Sequence, residues 1–285
     1  MMANAAGLDA DEVLLDLEDA CAPGEKEAAR RLVVEALRTH DFGRTARAVR
    51  SNDLTTAWAE RDVLEVVGGA PDGIDALIVP KVEDAGQLAR LEAALARVED
   101  DLGRSLTLTL ELQIESARGA VNVAQIAAAS SRASALVFGP GDYAASMGIH
   151  LPAIGASDSR YPGHQWHWVM SEIAVHAHAA GLQAIDGPLA LLHDEQGFRA
   201  PRSPPGRSAS RGSGASTPNQ VPWANEAFSP SREEIEAAAA LVAAYDDAVA
   251  QGTGAIAVDG MLVDEASRKL AEATLARARA AGLHD

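Results

Sequence analysis

Short apolar runs rich in β-branched residues alternate with longer segments rich in Ala, Leu, Glu and Arg along most of this chain. Such an alternation is typical of parallel strands joined by crossover helices. It predicts an α/β fold, with strands at residues 13–18, 46–50, 76–82, 106–115, 135–139 and 183–186. Apolar positions at three- and four-residue spacing predict helices at 25–38, 84–101, 117–129 and 166–180.

The length of 285 residues and the 47% hydrophobic content allow a substantial core. One barrel with an extension fits this length, as do two smaller domains, and we expect the first. Two further helices, at 231–250 and 263–281, follow a break in the pattern. Ser231 and Glu234 have the spacing of a capping box at the start of the first one. We therefore expect a catalytic domain at 1–221 and a C-terminal helical extension at 222–285.

The charge balance limits the partners that this chain can have. Its formal net charge of −17 would repel nucleic acid and anionic membranes, so we expect neither as a partner. Cys21 is the only cysteine, which excludes an intramolecular disulfide and a multi-cysteine zinc site. The sequence has no export signal and no apolar run long enough for a membrane span, so a cytoplasmic location is expected.

Charged residues stand where the predicted strands end, and in a parallel barrel these ends form the active site. Glu115 and Asp142 follow neighbouring strands, and two such carboxylates suit a hard cation that keeps some of its waters, such as Mg²⁺. Each acid could instead cap the helix that follows it. The charged or polar residues at these strand ends are Asp16, Glu18, Asp19, Arg50, Asn52, Lys81, Glu83, Glu111, Glu115 and Asp142.

Several motifs, taken in order, resemble the citrate lyase β-subunit and malyl-CoA lyase family of the aldolase superfamily. The resemblance continues through residues 161–164 and 184–188 and resumes from 224 to 266, so it covers nearly everything except 201–217. The motifs are Leu14-Leu15-Asp16-Leu17-Glu18-Asp19-Ala20, Val49-Arg50-Ser51-Asn52, Pro80-Lys81-Val82-Glu83, Leu110-Glu111-Leu112-Gln113-Ile114-Glu115-Ser116 and Phe138-Gly139-Pro140-Gly141-Asp142.

The resemblance implies a (β/α)₈ TIM barrel with Mg²⁺, or alternatively Mn²⁺, held at the positions of Glu115 and Asp142. It also implies that Arg50 grips the substrate carboxylate, which suits a guanidinium because it binds carboxylates bidentately. Asp264 matches the aspartate that reaches in from a neighbouring subunit and exchanges a proton on the acetyl carbon, although it could also be a helix N-terminal acid. The implied substrate-binding positions are Glu18, Asp19, Arg50, Lys81, Glu115, Gly141 and Asp142.

The implied reaction is a retro-Claisen cleavage of a malyl-type CoA thioester, in which malyl-CoA gives acetyl-CoA and glyoxylate. Methylmalyl-CoA and citramalyl-CoA are alternative substrates. A citrate lyase β-subunit acting on a carrier-bound citryl thioester is an alternative function, and a catalytically impaired remnant is another. The family implies a homo-oligomer, a trimer or hexamer.

Two regions depart from the family pattern. Relatives begin with a strand and a loop that we expect to be absent before residues 1–7, together with basic residues that hold the CoA phosphates. Residues 201–217 are rich in Ser, Gly, Pro and Arg, whereas relatives have a helix end and a strand there. We expect the segment to be irregular, which would leave an open barrel lacking its first and eighth strands. Strands 13–18 and 183–186 would then have unpaired edges, giving a poorly soluble or weakly active protein.

We hypothesise that 201–217 arises from a local frameshift, closed by a second one just before Pro218. Reading the codons of residues 208–217 one base earlier allows Leu-Gly-Phe-Ala-Gly-Lys-Trp-Gly-Ile-His, which matches the family pattern. The alternative is a genuine insertion. Resequencing the gene across codons 195–220 tests this, and a clean read that encodes the printed residues would end the hypothesis.

Overall fold

A computed structural model of the chain describes residues 2–149, 154, 165–199, 210–258 and 260–283. The chain divides into two compact units, Met1–Ala224 and Asn225–Asp285. Within the described part of the chain, no helix has the length and hydrophobicity that a bilayer crossing requires.

The first unit is built around a curled sheet of seven parallel strands, in which the strand order follows the chain order. Parallel neighbours need a crossover connection, and helices provide it. The α/β parallel fold expected from the sequence is therefore confirmed. The strands are β1 Glu12–Asp16, β2 Ala46–Arg50, β3 Ala76–Val79, β4 Thr109–Ile114, β5 Ala133–Phe138, β6 Gln183–Asp186 and β7 Gly212–Ser213.

The helices of this unit follow the strands. A 3₁₀ turn at Pro23–Glu25 precedes α2, and a π-helical turn at Val63–Val67 follows α3. The helices are α1 Met2–Ala5, α2 Lys26–Thr39, α3 Ala59–Asp62, α4 Ala85–Leu102, α5 Ala117–Val121, α6 Val123–Ala127, α7 Pro140–Met147, α8 His167–Ala179 and α9 Glu195–Arg199. A 3₁₀ turn at Pro218–Gln220 leads into α10, Val221–Phe228, at the boundary between the units.

Two predicted elements differ from the observed ones for visible reasons. The strand expected at 76–82 ends at Val79, because Pro80 has no N–H and Lys81 adopts a positive φ of 51°. The single helix expected at 117–129 is broken at Asn122, whose side-chain Nδ2 donates to the Glu83 carbonyl at 2.8 Å. The strands at 46–50 and 183–186 have the predicted bounds.

The expectation that 201–217 is irregular and lacks a strand is wrong for Gly212–Ser213. These residues pair in parallel with Ile185 and Asp186, so the edge of β6 that was expected to be unpaired is covered. A strand ladder uses backbone groups only, and small residues can therefore supply it. Residues 201–209 lie outside the described residues, and among the described strands β1 pairs with β2 alone.

The main core lies between the sheet and its helices, and a smaller apolar cluster lies on the other face of the sheet. The main core includes Leu17, Leu110, Leu112 and Ile114, which are fully buried. The smaller cluster consists of Ala48, Ala76 and Ile78 on β2 and β3. Ile78 of this cluster is in register with Arg50 and Glu111, so the same face of the sheet carries charged side chains.

The second unit contains helix α11, Arg232–Ala250, a hairpin and helix α12, Glu265–Ala280. The hairpin strands β8, Ile256–Val258, and β9, Met261–Val263, pair in antiparallel fashion. The predicted capping box of Ser231 and Glu234 is confirmed. The hairpin was not predicted, because three-residue strands are too short to show an alternating pattern.

Candidate active site

The polar residues that follow β1 to β5 come together at the carboxyl edge of the sheet. Arg50 at the end of β2 contacts Asp16, the last residue of β1, and Glu18, which follows it. Lys81 after β3 contacts Glu18, Asp19 and Asp142 through its ammonium group, and Glu115 through its backbone N–H. The structure thus places these sequence-predicted residues in one connected group.

Arg50 is paired with a carboxylate of its own chain. Its Nε and Nη2 donate to the two oxygens of Asp16 at 2.8 and 2.6 Å, and the Arg50 side chain is 20% exposed. Burial opposes ionisation of Asp16, but the hydrogen bonds and charge of Arg50 outweigh it and lower the pKa of Asp16. This bidentate pair fixes the plane of the guanidinium and leaves further N–H groups for a ligand.

Glu18 links the two cations. Its Oε1 accepts from Lys81 Nζ at 2.7 Å, and its Oε2 lies 3.1 Å from Arg50 Nη1, although that oxygen accepts no hydrogen bond. Burial raises the pKa of Glu18, while Lys81 and Arg50 oppose that shift. Lys26 holds the backbone that follows β1, because its Nζ donates at 2.7 Å to the carbonyls of both Leu17 and Glu18.

Glu115 is held on both oxygens. Oε1 accepts the Lys81 backbone N–H at 2.8 Å, and Oε2 accepts from Gln113 Nε2 at 2.7 Å. Its side chain also lies against the backbone of Gly139, where a Cβ would come within 2.1 Å of Oε2. The carboxylate therefore has one orientation, set by three neighbouring strand ends.

Glu115 is 2% exposed and makes no ion pair with a described Lys, Arg or His side chain. Burial raises the pKa of Glu115 to about 8, and the nearby charges of Glu18 and Asp142 add to the shift. A buried carboxylate with no cation partner is costly unless a cation binds it. This is the property expected of a metal ligand.

Asp142 lies in the first turn of α7, next to Gly141, and its side chain is 42% exposed. Its Oδ2 is 3.7 Å from Lys81 Nζ, so the same lysine contacts both Asp142 and Glu115. Among the described residues, no three His, Cys, Asp or Glu side chains form a group that could hold a metal ion. Two carboxylates completed by water and substrate oxygens fit Mg²⁺, which seldom uses an all-protein cage.

A buried ion network supports the loop that follows Arg50. Arg30 on α2 is 1% exposed and donates to Asp62 at 3.0 Å and to Glu65 at 2.7 Å. Asp62 in turn accepts from both the backbone and the side chain of Asn52. The network joins α2, α3 and the chain directly after β2, so it keeps the end of β2 in place.

Asp264 belongs to the second unit and is the N-cap of α12. Its Oδ1 accepts from the backbone N–H groups of Ala266 and Ser267 at 3.0 and 3.1 Å. The Ser267 N–H lowers the pKa of Asp264; burial opposes this shift, and the Ser267 hydroxyl and the Ala266 N–H add to it. The helix N-terminal position that the sequence left open is therefore observed, and it keeps the side chain ionised.

The sequence did not single out three residues of this site, namely Lys26, Gln113 and Gly139. Asp16 was predicted at a strand end, but its pairing with Arg50 was not. Gln113 lies two positions before Glu115 on the same face of β4, and this spacing was the available signal. Nothing in the sequence indicates that Gly139 lies against Glu115, because the two belong to neighbouring strands.

We expect Gly139→Ala to weaken metal binding about tenfold or more, because the new methyl group would force the Glu115 carboxylate out of position. Titration of the substrate-free protein with Mn²⁺ measures this. Gly24→Ala is the matched control, since a Cβ at Gly24 meets nothing within 4 Å. Equal Mn²⁺ affinity in the two variants would contradict the role given to Gly139.

A parallel α/β sheet with buried acids, an arginine and a lysine at its carboxyl edge has the architecture of an enzyme of the α/β-barrel type. A comparison with protein families agrees with this description. The chain belongs to the HpcH/HpaI aldolase/citrate lyase family, whose profile matches residues 1–203. The family resemblance noted in the sequence is confirmed.

The relatives include lyases of two kinds. The L-malyl-CoA/β-methylmalyl-CoA lyase of Cereibacter sphaeroides is 37% identical over 278 residues, which cover 94% of this chain and 87% of that protein. Citrate lyase subunit beta of Leuconostoc mesenteroides is 34% identical over 266 residues, which cover 93% of this chain and 84% of that protein. The structure of CitE from Mycobacterium tuberculosis with magnesium, acetoacetate and coenzyme A has a TM-score of 0.74 at 28% identity, and the match covers 94% of this chain and 90% of that one.

Proposed function

We propose that this chain is a Mg²⁺-dependent carbon–carbon lyase that cleaves a malyl-type CoA thioester, for example malyl-CoA, into acetyl-CoA and glyoxylate. The observation that carries the proposal is that Lys81 contacts both Glu115 and Asp142, while Arg50 contacts the same Glu18 as Lys81. The 37% identity to a malyl-CoA lyase over 94% of the chain supports it.

Glu115 and Asp142 would hold the Mg²⁺ ion. When bound, Mg²⁺ supplies Lewis-acid stabilisation of the negative charge that develops on the cleaved unit. Glu115 contributes a buried carboxyl group that makes no ion pair with a described cation, and Lys81 and Gln113 keep it oriented. Mn²⁺ suits the same oxygen ligands.

Arg50 would bind the substrate carboxylate with the N–H groups that Asp16 does not use. The bidentate Asp16 pair holds the guanidinium flat and charged before the substrate arrives, which reduces the cost of orienting it. Glu18, Asp19 and Gly141 would line the substrate site.

Asp264 would exchange the proton on the acetyl carbon, as an ionised carboxylate with a lowered pKa. We propose that it acts on the site of a neighbouring subunit in a homo-oligomer, a trimer or a hexamer. We further propose a cytoplasmic location and a division into a catalytic domain at 1–221 and an extension at 222–285.

The sheet would form most of a (β/α)₈ barrel that stays open between β1 and β7. Leu14 supports this proposal, because it is 46% exposed on the face of the sheet where its strand partner Ala48 is buried. A barrel strand in that position would be covered on both sides.

Release of glyoxylate from malyl-CoA, with and without Mg²⁺, tests the proposed function. We expect turnover with Mg²⁺ and none after chelation. A second version of the chain, with the 201–217 region changed to the family pattern, distinguishes an impaired enzyme from a wrong substrate. Absence of turnover in both versions, on malyl-CoA, methylmalyl-CoA and citramalyl-CoA, would contradict the proposal.

A citrate lyase β-subunit is the second candidate, favoured by the 34% identity to such a subunit. It would act on a citryl thioester attached to a carrier. Cleavage of a citryl thioester in preference to malyl-CoA would support this candidate.

We expect Mg²⁺ affinity to increase about tenfold per pH unit up to about pH 8 and then to level off, because the pKa of Glu115 is raised to about 8. Below this pKa the carboxyl group is protonated, and Mg²⁺ must displace the proton. A carboxyl with the ordinary pKa of 4.5 would give no change in affinity near neutral pH. Calorimetric titration at several pH values measures the slope, and a flat profile would contradict the assignment.

A further inference from the structure

Lys81 has an unusual backbone. Its φ of 51° is the single positive value among the described non-glycine residues. In this left-handed region the Cβ of an L residue crowds the following carbonyl, so such a conformation persists only where surrounding contacts hold it. The structure shows contacts from both the backbone and the side chain of this residue.

We infer that Lys81 is a positioning residue that holds the two metal ligands, Glu115 and Asp142, in place before the ion binds. The inference rests on the proposed function, since it takes these two acids as the ligands. In this role Lys81 acts in the protein before metal or substrate binds, in addition to any contact with substrate.

In this left-handed conformation both the backbone N–H and the side chain of Lys81 contact acids of the site. The Lys81 N–H donates to Glu115 Oε1 at 2.8 Å, on the side of β4. The Lys81 side chain reaches acids that follow β1 and β5, with Nζ at 2.7 Å from Glu18, 3.4 Å from Asp19 and 3.7 Å from Asp142. After it the chain resumes pairing with β4, because the Val82 N–H donates to the Gln113 carbonyl at 3.2 Å.

Removal of the Lys81 ammonium group distinguishes two roles for this residue, because they predict opposite changes in metal affinity. A lysine that acts only through its charge would repel a divalent ion, so its removal would tighten metal binding. A lysine that positions the ligands would instead weaken metal binding when removed, because Asp142 and Glu18 would lose their common partner.

The experiment is a titration of the substrate-free full chain with Mn²⁺, followed by electron paramagnetic resonance of the free ion, together with thermal melting of the metal-free protein. Lys81→Met removes the ammonium group and keeps the chain length and the N–H. We expect about tenfold weaker Mn²⁺ binding. Lys269→Met, at a lysine that is 70% exposed on α12, is the control and should bind as the wild type does.

Lys81→Gly tests the backbone, because glycine adopts a positive φ without strain. We expect it to melt at a higher temperature than Lys81→Met while binding Mn²⁺ equally weakly, and it carries the affinity test if Lys81→Met fails to fold. Unchanged or tighter Mn²⁺ binding in these variants would overturn the role of Lys81 and leave the proposed function standing. A wild-type chain that binds no Mn²⁺ would overturn both.

Discussion

Glu115→Gln is expected to abolish measurable Mg²⁺ binding and to lower kcat/KM for the thioester about a thousandfold, or about 4 kcal/mol. Glutamine has nearly the same shape, so the change removes the charge and little else. It can still accept the Lys81 N–H, and the Gln113 amide can turn over to accept from its new NH₂ group. Calorimetry with Mg²⁺ and the glyoxylate assay measure the two effects.

The melting temperature of Glu115→Gln distinguishes loss of a metal-ligating side chain from misfolding. Burial raises the pKa of Glu115, so ionising it destabilises the folded state increasingly as pH rises from 4.5 towards about 8. The metal-free Glu115→Gln protein should therefore melt at or above the wild-type temperature at neutral and higher pH. A much lower melting temperature would assign the loss to misfolding.

Glu111→Gln provides the matched control. Glu111 lies four residues earlier on the same face of β4, and its raised pKa arises from burial, with Glu12 of β1 as its hydrogen-bond partner. The same chemical change there should leave Mg²⁺ affinity unaltered. If both variants lost the metal equally, a general electrostatic effect of the strand would explain the result and Glu115 would not be a ligand.

Arg50→Lys is expected to lower kcat/KM about a hundredfold, or about 2.7 kcal/mol, with Mg²⁺ affinity changed by only a few fold. Lysine keeps the charge but has a single nitrogen. It cannot pair with both oxygens of Asp16, approach Glu18 and bind the substrate carboxylate together. Steady-state kinetics, with metal titration beside it, distinguish this result from the loss expected for Glu115→Gln.

Arg47→Lys is a close control on the same strand. Arg47 pairs with both oxygens of Asp75 at 2.8 and 3.0 Å, as Arg50 does with Asp16, but at the other end of β2. We expect a similar loss of a bidentate pair there and no loss of turnover. Full activity in Arg50→Lys would contradict the proposed carboxylate-binding role.

The site is a network of charged residues in which each acid except Glu115 has an identified ion-pair partner. Asp16 pairs with Arg50, Glu18 with Arg50 and Lys81, and Asp142 with Lys81. Glu115 receives only neutral N–H donors from described residues. Beside Asp142 there is thus one buried carboxyl group without an ion-pair partner, and a divalent ion bound there would stabilise its ionised form.

Much of the fold could be predicted from local patterns. The strands at Ala46–Arg50 and Gln183–Asp186 and the capping box at Ser231 follow from a few neighbouring residues. Two of the predictions failed because a distant contact decided the outcome. Asn122 breaks a helix by bonding Glu83, and Gly212–Ser213 forms a strand because β6 offers an open ladder.

The order of strands and helices, and the placing of acids, Arg50 and Lys81 at the strand ends, were determined by the sequence itself, because periodicity along the chain encodes which residues are buried. Tertiary structure alone decided that Arg50 pairs with Asp16, that Gly139 lies against Glu115 and that Lys81 has a left-handed backbone. These contacts join residues from different strands, 34 positions apart for Arg50 and Asp16. Their geometry depends on strand register and curl, which no local pattern specifies.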